Sequence, residues 1–154
     1  MLNLVKIKPS YVSECKKNDV DKEIMVSSAG RPCVLLMKLK YRGELRDFVV
    51  PLRSNISPST PKEQYFALPN NKGTKMNHHH GIHYIKILPV SSKHLDKFQI
   101  EGDQNFNMIH NIINKSENKK AIIDACQTYL KEYENGKRHP MTPDIDGIIK
   151  KLGL

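Results

Sequence analysis

Apolar residues alternate with polar ones along much of the first part of the chain and follow a helical period in the last third. The run that begins at Pro32 is apolar at first and then alternates with lysines, as in a strand whose far end emerges into solvent. Arg42-Gly43-Glu44 then has the composition of a turn, so the segments around it predict a β-hairpin. The predicted strands are residues 2–8, 32–41, 45–52, 65–68 and 81–90.

Helical spacing dominates after residue 103, where four apolar residues between 106 and 113 fall on one helix face. Ser116 is a preferred N-cap residue and predicts the start of the next helix, which Gly136 ends. The predicted helices are one or two turns at 10–18, with Ser10 as cap, and longer ones at 103–115, 117–135 and 142–152. The predicted loops are 19–30, 53–62 and 70–80.

These elements predict an α+β protein with a single domain that spans residues 1–154. A chain of 154 residues can bury one proper core without disulfides or a structural metal. Strands and helices do not alternate regularly, which argues against a parallel sheet. We therefore expect a curved antiparallel sheet or small barrel, packed by two or three C-terminal helices.

The formal net charge is +9, from 25 Lys and Arg residues against 16 Asp and Glu residues. A charge of this size favours a polyanionic partner, but it also fits simple solubility, and both interpretations stay open. The three widely spaced cysteines include no CxxC pair, which predicts a reducing, cytoplasmic compartment. The N-terminus lacks the pattern of a secretory leader, and no apolar run has the length of a membrane span.

Several common catalytic motifs are absent from the sequence. GxxxxGK[ST], GxGxxG, HExxH and GxSxG do not occur, so the usual nucleotide-binding, zinc-protease and serine-hydrolase functions lose their main support. A two-metal nuclease needs several converging carboxylates, and the spacing of the acidic residues does not provide them. We therefore expect neither a metal ion nor a cofactor.

The histidine run His78-His79-His80, followed by His83, has two interpretations. Metal binding is one, but three consecutive residues rarely converge on one ion, so a polar loop is favoured. Because the pKa of histidine lies near neutrality, one member could move a proton or contact a phosphate. His83, at the start of a predicted strand, is better placed for this than the loop residues, and a purely structural histidine is the alternative.

Arg53-Ser54-Asn55 follows directly after a predicted strand, which is a usual place for functional residues. A hydroxyl beside a guanidinium can hold a phosphate and stabilise the charge of a pentacoordinate transition state. Ser and Asn are also common at ordinary strand-to-loop transitions, and spacing alone favours that interpretation.

Two segments around the predicted turn resemble the ToxN/AbiQ family, the protein toxins of type III toxin–antitoxin systems. They are Arg31-Pro32-Cys33-Val34-Leu35-Leu36-Met37 and Phe48-Val49-Val50-Pro51-Leu52-Arg53-Ser54. Further pieces agree with the family in their order along the chain: Lys8-Pro9-Ser10-Tyr11-Val12, Ile87-Leu88-Pro89-Val90 and Asn114-Lys115-Ser116. The resemblance spans most of the chain, and within the family the chain resembles the branch called CptN.

This resemblance implies a fold related to the Kid/MazF toxins, with a twisted, SH3-like antiparallel sheet and helices around it. It implies sequence-preferring cleavage of cellular mRNA without a metal: the ribose 2′-OH attacks the adjacent phosphate and leaves a 2′,3′-cyclic phosphate and a 5′-OH. It also implies a repeated, pseudoknotted RNA antitoxin, which the toxin processes and which inhibits it within a closed RNA–protein assembly.

The resemblance also suggests a catalytic set. Ser54 matches the active-site serine of the family, and Arg53 stands where a threonine often precedes that serine. Tyr11 matches an N-terminal active-site tyrosine, and Arg31 matches a basic residue before the first hairpin strand. The reaction needs a group that orients or deprotonates the 2′-OH, a cation for the phosphate and a donor to the leaving oxygen. Hydroxyl groups and arginines of this set would meet those needs.

One position departs from the family pattern: Ile56 stands where some members carry a lysine. Arg53, Arg31 or His83 would then supply the missing cation. The candidate RNA contacts outside the catalytic set are Lys6, Lys8, Asn55, His80, Lys119 and Lys120. Two other functions stay open, a non-catalytic RNA-binding module and a protein–protein adaptor whose charge is incidental.

Overall fold

The computed structural model describes residues 1–18, 34–97 and 104–154. The predicted loop at 19–30 and the candidate site residue Arg31 lie outside the described residues. Within the described ranges the chain combines an antiparallel sheet with four α-helices, so the predicted α+β class is confirmed.

Seven strands form the sheet in the described residues, and all their pairings are antiparallel. They are β1 Asn3–Ile7, β2 Val34–Tyr41, β3 Glu44–Ile56, β4 Tyr65–Leu68, β5 His79–His83, β6 Leu88–Pro89 and β7 Leu95–Lys97. The order is β4-β5-β3-β2-β1-β7, and β6 pairs with β3. The outer strands β4 and β7 do not pair with each other in these residues, so the sheet is open rather than the closed, SH3-like barrel that was the other expectation.

Four α-helices lie in the described ranges, and three short 3₁₀ turns link strands. The α-helices are α1 Pro9–Lys17, α2 Gln104–Ile113, α3 Ser116–Glu134 and α4 Ile145–Leu152. The predicted caps Ser10 and Ser116 are wrong, because Lys8 and Lys115 occupy the N-cap positions. Pro9 starts α1 because its fixed φ and missing N–H suit the first helical position. No helix of these ranges has the length and apolar character needed to cross a bilayer.

The predicted hairpin is confirmed in β2 and β3, which pair without interruption from Val34 opposite Pro51 to Tyr41 opposite Glu44. Its turn residues Arg42 and Gly43 have φ values of 49° and 79°, as a type I′ turn requires at both central positions. Such a turn matches the twist of the two strands, so the local sequence and the sheet favour the same geometry.

β3 sends alternate side chains to the two faces of the sheet and so belongs to two cores. On one face Phe48 packs with apolar residues of α2 and α3. On the other face Val49 packs with Tyr11 of α1 and Ile148 of α4. Arg53 lies on the same face of β3 as Val49, because side chains alternate along a strand. The packing of β3 in both cores therefore also fixes the position of Arg53.

Several predicted boundaries are wrong. β5 begins at His79, inside the predicted loop 70–80, so His83 ends a strand instead of starting one. β3 does not end at residue 52 but continues to Ile56, because its last residues pair with β5. The single strand predicted at 81–90 is divided into β5, a 3₁₀ turn at Tyr84–Lys86 and β6. All residues of that turn are buried, so the sequence pattern there looks like that of a continuous buried strand although the backbone bends. The sequence also gave no indication of β7.

Candidate active site

The end of β3 carries a β-bulge at the predicted site residues. Arg53 lies opposite Gly81, and the next paired residues are Ile56 and His79. β3 therefore advances by three residues where β5 advances by two. The extra residue falls within the segment that contains Ser54 and Asn55. A bulge interrupts the alternation of side chains and re-aims them, and bulges are frequent beside active sites.

Arg53 and His83 form a hydrogen-bonded pair across β3 and β5. The distance from Arg53 Nη1 to His83 Nδ1 is 3.0 Å. An arginine can only donate, so Nδ1 of the imidazole is the acceptor in this contact. The neutral ring then carries its proton on Nε2. That atom is buried and has no hydrogen-bond partner within the described part of the chain.

Burial and surrounding positive charge keep His83 neutral. Its side chain is buried, with 3 % of the residue exposed. Burial lowers the pKa of His83 to about 4, with further contributions from the charges of Arg53, Lys86 and His139. Burial also lowers the pKa of Arg53, although a guanidinium remains charged at neutral pH. The pair therefore combines a fixed cation with a neutral N–H donor.

Ser54 is held in the bulge by the loop that precedes β5. Asn71 Nδ2 donates to Ser54 Oγ at 3.2 Å. The same amide accepts from the backbone N–H of Gly73 and from the hydroxyl of Thr74 through its Oδ1, which fixes its orientation. Because Ser54 Oγ accepts from Asn71, the hydroxyl proton of Ser54 can be donated to a substrate oxygen.

Asn55, a predicted RNA contact, has a second link to the same loop. Its Oδ1 accepts a hydrogen bond of 2.8 Å from the backbone N–H of Lys75. We call residues 69–78 the bulge loop. This bond and the contact between Asn71 and Ser54 attach the loop to β3 at two points. Its exposed lysines, Lys72 and Lys75, consequently lie on the loop that borders Ser54.

The structure places Tyr11 away from this pair. Tyr11 is fully buried between α1 and the sheet, and its hydroxyl donates to the Pro89 carbonyl oxygen at 2.8 Å. Its ring packs edge-on against His94. Burial, followed by the neighbouring Cys15, raises the pKa of the Tyr11 hydroxyl. A catalytic role for Tyr11 stays a prediction, as does that of Arg31, which lies outside the described residues.

The histidine run does not form a cluster. His80 is buried beside β4, and its Nδ1 donates to the Pro69 carbonyl oxygen at 2.8 Å. His78 is partly exposed, and its Nδ1 lies 3.0 Å from the Met76 carbonyl oxygen. In residues 1–18, 34–97 and 104–154, no three His, Cys, Asp or Glu side chains are grouped as metal ligands would be. His80 as an RNA contact stays a prediction.

The four lysines predicted as RNA contacts lie on other elements. Lys6 is in β1, which β2 separates from β3. Lys8 precedes α1 and lies 3.7 Å from Asp96. The other two, Lys119 and Lys120, are in α3, where Lys120 pairs with Asp124 at 2.7 Å. Their contribution to RNA binding stays a prediction.

Two further aromatic residues lie on the same face as Arg53 and His83: Tyr65, which sequence reasoning missed, and His79, which it named only as part of the histidine run. Tyr65 is directly opposite His83 in the β4–β5 ladder. Its ring stacks on that of His79, with 5.3 Å between centroids and 26° between planes. The alternation of His79, Gly81 and His83 indicates one strand face, but only the pairing of β4 and β5 brings Tyr65 beside it.

The sequence matches no family model and no curated protein, whereas the structure is similar to solved ones. One similar chain belongs to a structure concerned with a processed non-coding RNA that regulates a bacterial antiviral system. The TM-score is 0.66 at 14 % identity, over 97 % of this chain and 96 % of that chain.

A second similar chain comes from a structure concerned with bacterial type III toxin–antitoxin systems and selective toxin inhibition by a non-coding RNA pseudoknot. Its TM-score is 0.55 at 11 % identity, over 99 % of this chain and 96 % of that chain. At such low identity the similarity shows a shared fold, and it extends over nearly the full length of both chains. This agrees with the resemblance found in the sequence.

Proposed function

We propose that this protein is the endoribonuclease toxin of a type III toxin–antitoxin system and that a structured RNA inhibits it. The observation that carries the activity is the hydrogen bond between Arg53 and His83 at the bulge, which joins a cation to a neutral N–H donor next to the hydroxyl-bearing Ser54. The shared fold with a chain studied for toxin inhibition by an RNA pseudoknot supports the choice of RNA.

The proposed reaction is an intramolecular transesterification in RNA. The 2′-oxygen forms a bond to the adjacent phosphorus and its proton passes to water, while the bond from phosphorus to the 5′-oxygen breaks. The 5′-oxygen takes up one proton from water and leaves as a hydroxyl, so no net proton is lost. Negative charge increases on the non-bridging oxygens of the pentacoordinate transition state. Donors fixed in a partly buried site stabilise that charge better than water does, because they need not reorganise during the reaction.

Arg53 and His83 act together on the phosphate in this proposal. Arg53 uses one N–H on His83 and has further donors in its planar guanidinium for the phosphate oxygens. His83 contributes its Nε2–H as a neutral donor, since a pKa of about 4 leaves it uncharged at neutral pH. Arginine thus supplies the cation at the position where the family often has threonine.

Ser54 acts as a donor rather than as a covalent nucleophile. Asn71 orients its oxygen, and its proton is directed to an oxygen of the substrate. The proposed catalytic set also includes Tyr11 and Arg31, which rest on the sequence resemblance. The partners proposed are cellular mRNA as substrate and a repeated RNA antitoxin, bound in a closed assembly in the cytoplasm.

The test uses the purified full chain with cellular RNA and with an RNA transcribed from tandem repeats upstream of its coding region. We expect cleavage that leaves 2′,3′-cyclic phosphate and 5′-OH ends, persists in excess EDTA and stops when the repeat RNA is added. An oligonucleotide with one 2′-deoxyribose at the mapped cleavage site should resist. RNA binding without cleavage would instead identify a non-catalytic RNA-binding module, and loss of cleavage in EDTA that is restored by Mg²⁺ would contradict the metal-free mechanism.

A further inference from the structure

The sheet face next to the Arg53–His83 pair carries an aromatic platform made of Tyr65 and His79. Both rings are partly exposed and stack on each other at 5.3 Å. Between them along the two strands lie Gly81 and Ala67, which are cross-strand partners. These two residues have no side chain or a single methyl group, so the larger rings of Tyr65 and His79 meet above them.

The platform is adjacent to the proposed catalytic pair, because Tyr65 is the cross-strand neighbour of His83. Tyr65 and His83 are directly opposite each other in the β4–β5 ladder, a relationship that places Cβ atoms about 5 Å apart. Arg53 follows on the same face, opposite Gly81. A nucleotide whose phosphate contacts Arg53 and His83 would therefore bring a neighbouring base to the platform.

The segment of the chain that carries the platform has a strong excess of basic residues. From residue 53 to residue 95 the sequence has six Lys or Arg residues and one carboxylate, Glu63. Two of the lysines, Lys72 and Lys75, are exposed on the bulge loop. Neither forms an ion pair with a carboxylate in residues 34–97 or elsewhere in the described chain, so both are available to a polyanion.

The bulge loop also exposes a large apolar side chain at this point. Met76 follows Lys75 directly and is 88 % exposed. Its loop is attached to β3 through Ser54 and Asn55, so it borders the site as a fixed element rather than as a distant tail. These groups match the parts of an unpaired nucleotide. The flat rings can stack on the face of a base, the lysines can contact its phosphates, and Met76 can contact an apolar base edge.

We propose that Tyr65 and His79 bind one unpaired base of the RNA beside the Arg53–His83 pair, with Lys72 and Lys75 neutralising the flanking phosphates. This inference rests on the proposed function, because its ligand is the RNA that the site acts on. Stacking tolerates every base, so the platform holds the strand in place. The contacts of the bulge loop then favour particular bases at that position.

The test compares variants of the full chain that differ in stacking. Tyr65→Leu keeps an apolar side chain but removes the ring, whereas Tyr65→Phe keeps the ring and loses only the hydroxyl. His79→Leu removes the second ring and serves if Tyr65→Leu fails to fold. The matched control is His110→Leu, because His110 also stacks on an aromatic ring, Phe106, but on α2 away from the sheet edge.

The probe is a short RNA that carries one 2′-deoxyribose at the mapped cleavage site and 2-aminopurine at each other position in turn. We expect quenching at one position with the wild type, Tyr65→Phe and His110→Leu. Tyr65→Leu and His79→Leu should lose it and bind roughly 5- to 150-fold more weakly. With cleavable RNA, KM should rise in these two variants more than kcat falls.

The outcomes separate this inference from the proposed function. If the wild type neither binds nor cleaves RNA, the proposed function is wrong. If the wild type cleaves RNA but Tyr65→Leu and His79→Leu keep its affinity and its quenching, the platform alone is wrong. An equal loss in His110→Leu would show a general effect on the fold and would also count against the platform.

Discussion

Arg53 Nη1 donates to His83 Nδ1 at 3.0 Å, and this contact determines which nitrogen of the imidazole carries the proton. The two residues are 30 positions apart in the sequence and meet because β3 and β5 are neighbours. The remaining nitrogen of His83 is buried and has no protein partner in the described residues. A donor held in this way has its direction set before any substrate arrives.

The first prediction concerns the protonation state of His83. We expect the Nε2–H tautomer at neutral pH and a pKa of about 4, because burial and neighbouring cations oppose its protonation. Long-range ¹H–¹⁵N NMR spectra of the wild type, recorded from pH 8 down to values below 4, measure both. Arg53→Met should raise the pKa of His83, since it removes a cation and the donor to Nδ1. A ring with its proton on Nδ1 in the wild type would contradict the assignment.

The second prediction concerns stability at low pH. The pKa of His83 is about 4 in the folded protein and about 6.5 in an unfolded chain, so the unfolded state binds more protons between these values. The free energy of unfolding should therefore decrease as the pH falls from 6.5 to 4, with roughly 2 to 3 kcal/mol of the loss due to His83.

Urea unfolding of the wild type and of His83→Gln at pH 7.5 and pH 4.5 isolates this contribution. Glutamine has no proton to gain, so the variant should lose less stability than the wild type over the same interval. The carboxylates titrate in both proteins and cancel in the comparison. Equal losses in the two proteins would show that His83 does not resist protonation in the fold.

The sequence predicted those parts of the structure that depend on neighbouring residues. The hairpin is the clearest case, because the positive φ values of its turn residues and the alternation of its strands are local properties. Tyr65–Leu68 has the bounds that its short apolar run predicted. The helices follow their apolar period, and their ends differ from the predictions by a few residues, as capping depends on local backbone geometry.

The site was predictable in part, for a physical reason. Arg53 and Ser54 were selected from their position after a strand, but the sequence suggested that a loop begins there. The strand continues because β5 supplies a partner, and partners 23 to 30 positions away leave no local signal. For the same reason the sequence pointed to His83 without indicating that Arg53 would donate to it, or that Tyr65 would lie opposite it.

The third prediction concerns Ser54. Ser54→Ala removes a donor from the proposed transition state, so we expect cleavage to slow by at least about 100-fold and toxicity in cells to disappear. Its loss should change the free energy of unfolding by less than about 1 kcal/mol, because the contact with Asn71 is exposed. The matched control is Ser57→Ala, whose hydroxyl bonds to nearby Ser59 and to no other residue of the described ranges. Growth arrest by Ser54→Ala at wild-type expression would remove Ser54 from the site.

The fourth prediction concerns Gly81, where β5 approaches β4 closely. A Cβ atom at this position would lie well inside van der Waals contact with the Phe66 carbonyl oxygen, a backbone atom that cannot rotate away. Gly81→Ala should therefore lower the free energy of unfolding by about 1 to 3 kcal/mol. In Gly73→Ala the nearest atom would be the side-chain oxygen of Asn71 at 3.3 Å, so the change should stay within about 0.5 kcal/mol. Similar urea midpoints for the two variants would contradict the close approach.

The last prediction concerns the lysines that neutralise the RNA backbone. Lys72 and Lys75 lie on the loop attached to the bulge, whereas Lys8 and Lys120 lie on other elements and already pair with Asp96 and Asp124. A lysine that shares its charge with a carboxylate gains less from a phosphate. We therefore expect the double change Lys72→Gln and Lys75→Gln to weaken RNA binding more than Lys8→Gln and Lys120→Gln.

Salt titrations of both double variants, with a 2′-deoxy-blocked RNA to prevent cleavage, distinguish the two surfaces. Each phosphate contact to single-stranded RNA contributes about 0.7 to the slope of log K against log salt. Loss of both bulge-loop lysines should therefore reduce the slope by about 1.4, and the other pair should change it by much less. The reverse order would place the main RNA contacts on Lys8 and Lys120, as the charge distribution of the sequence first suggested. Unchanged slopes in both variants would show that neither set contacts the phosphates.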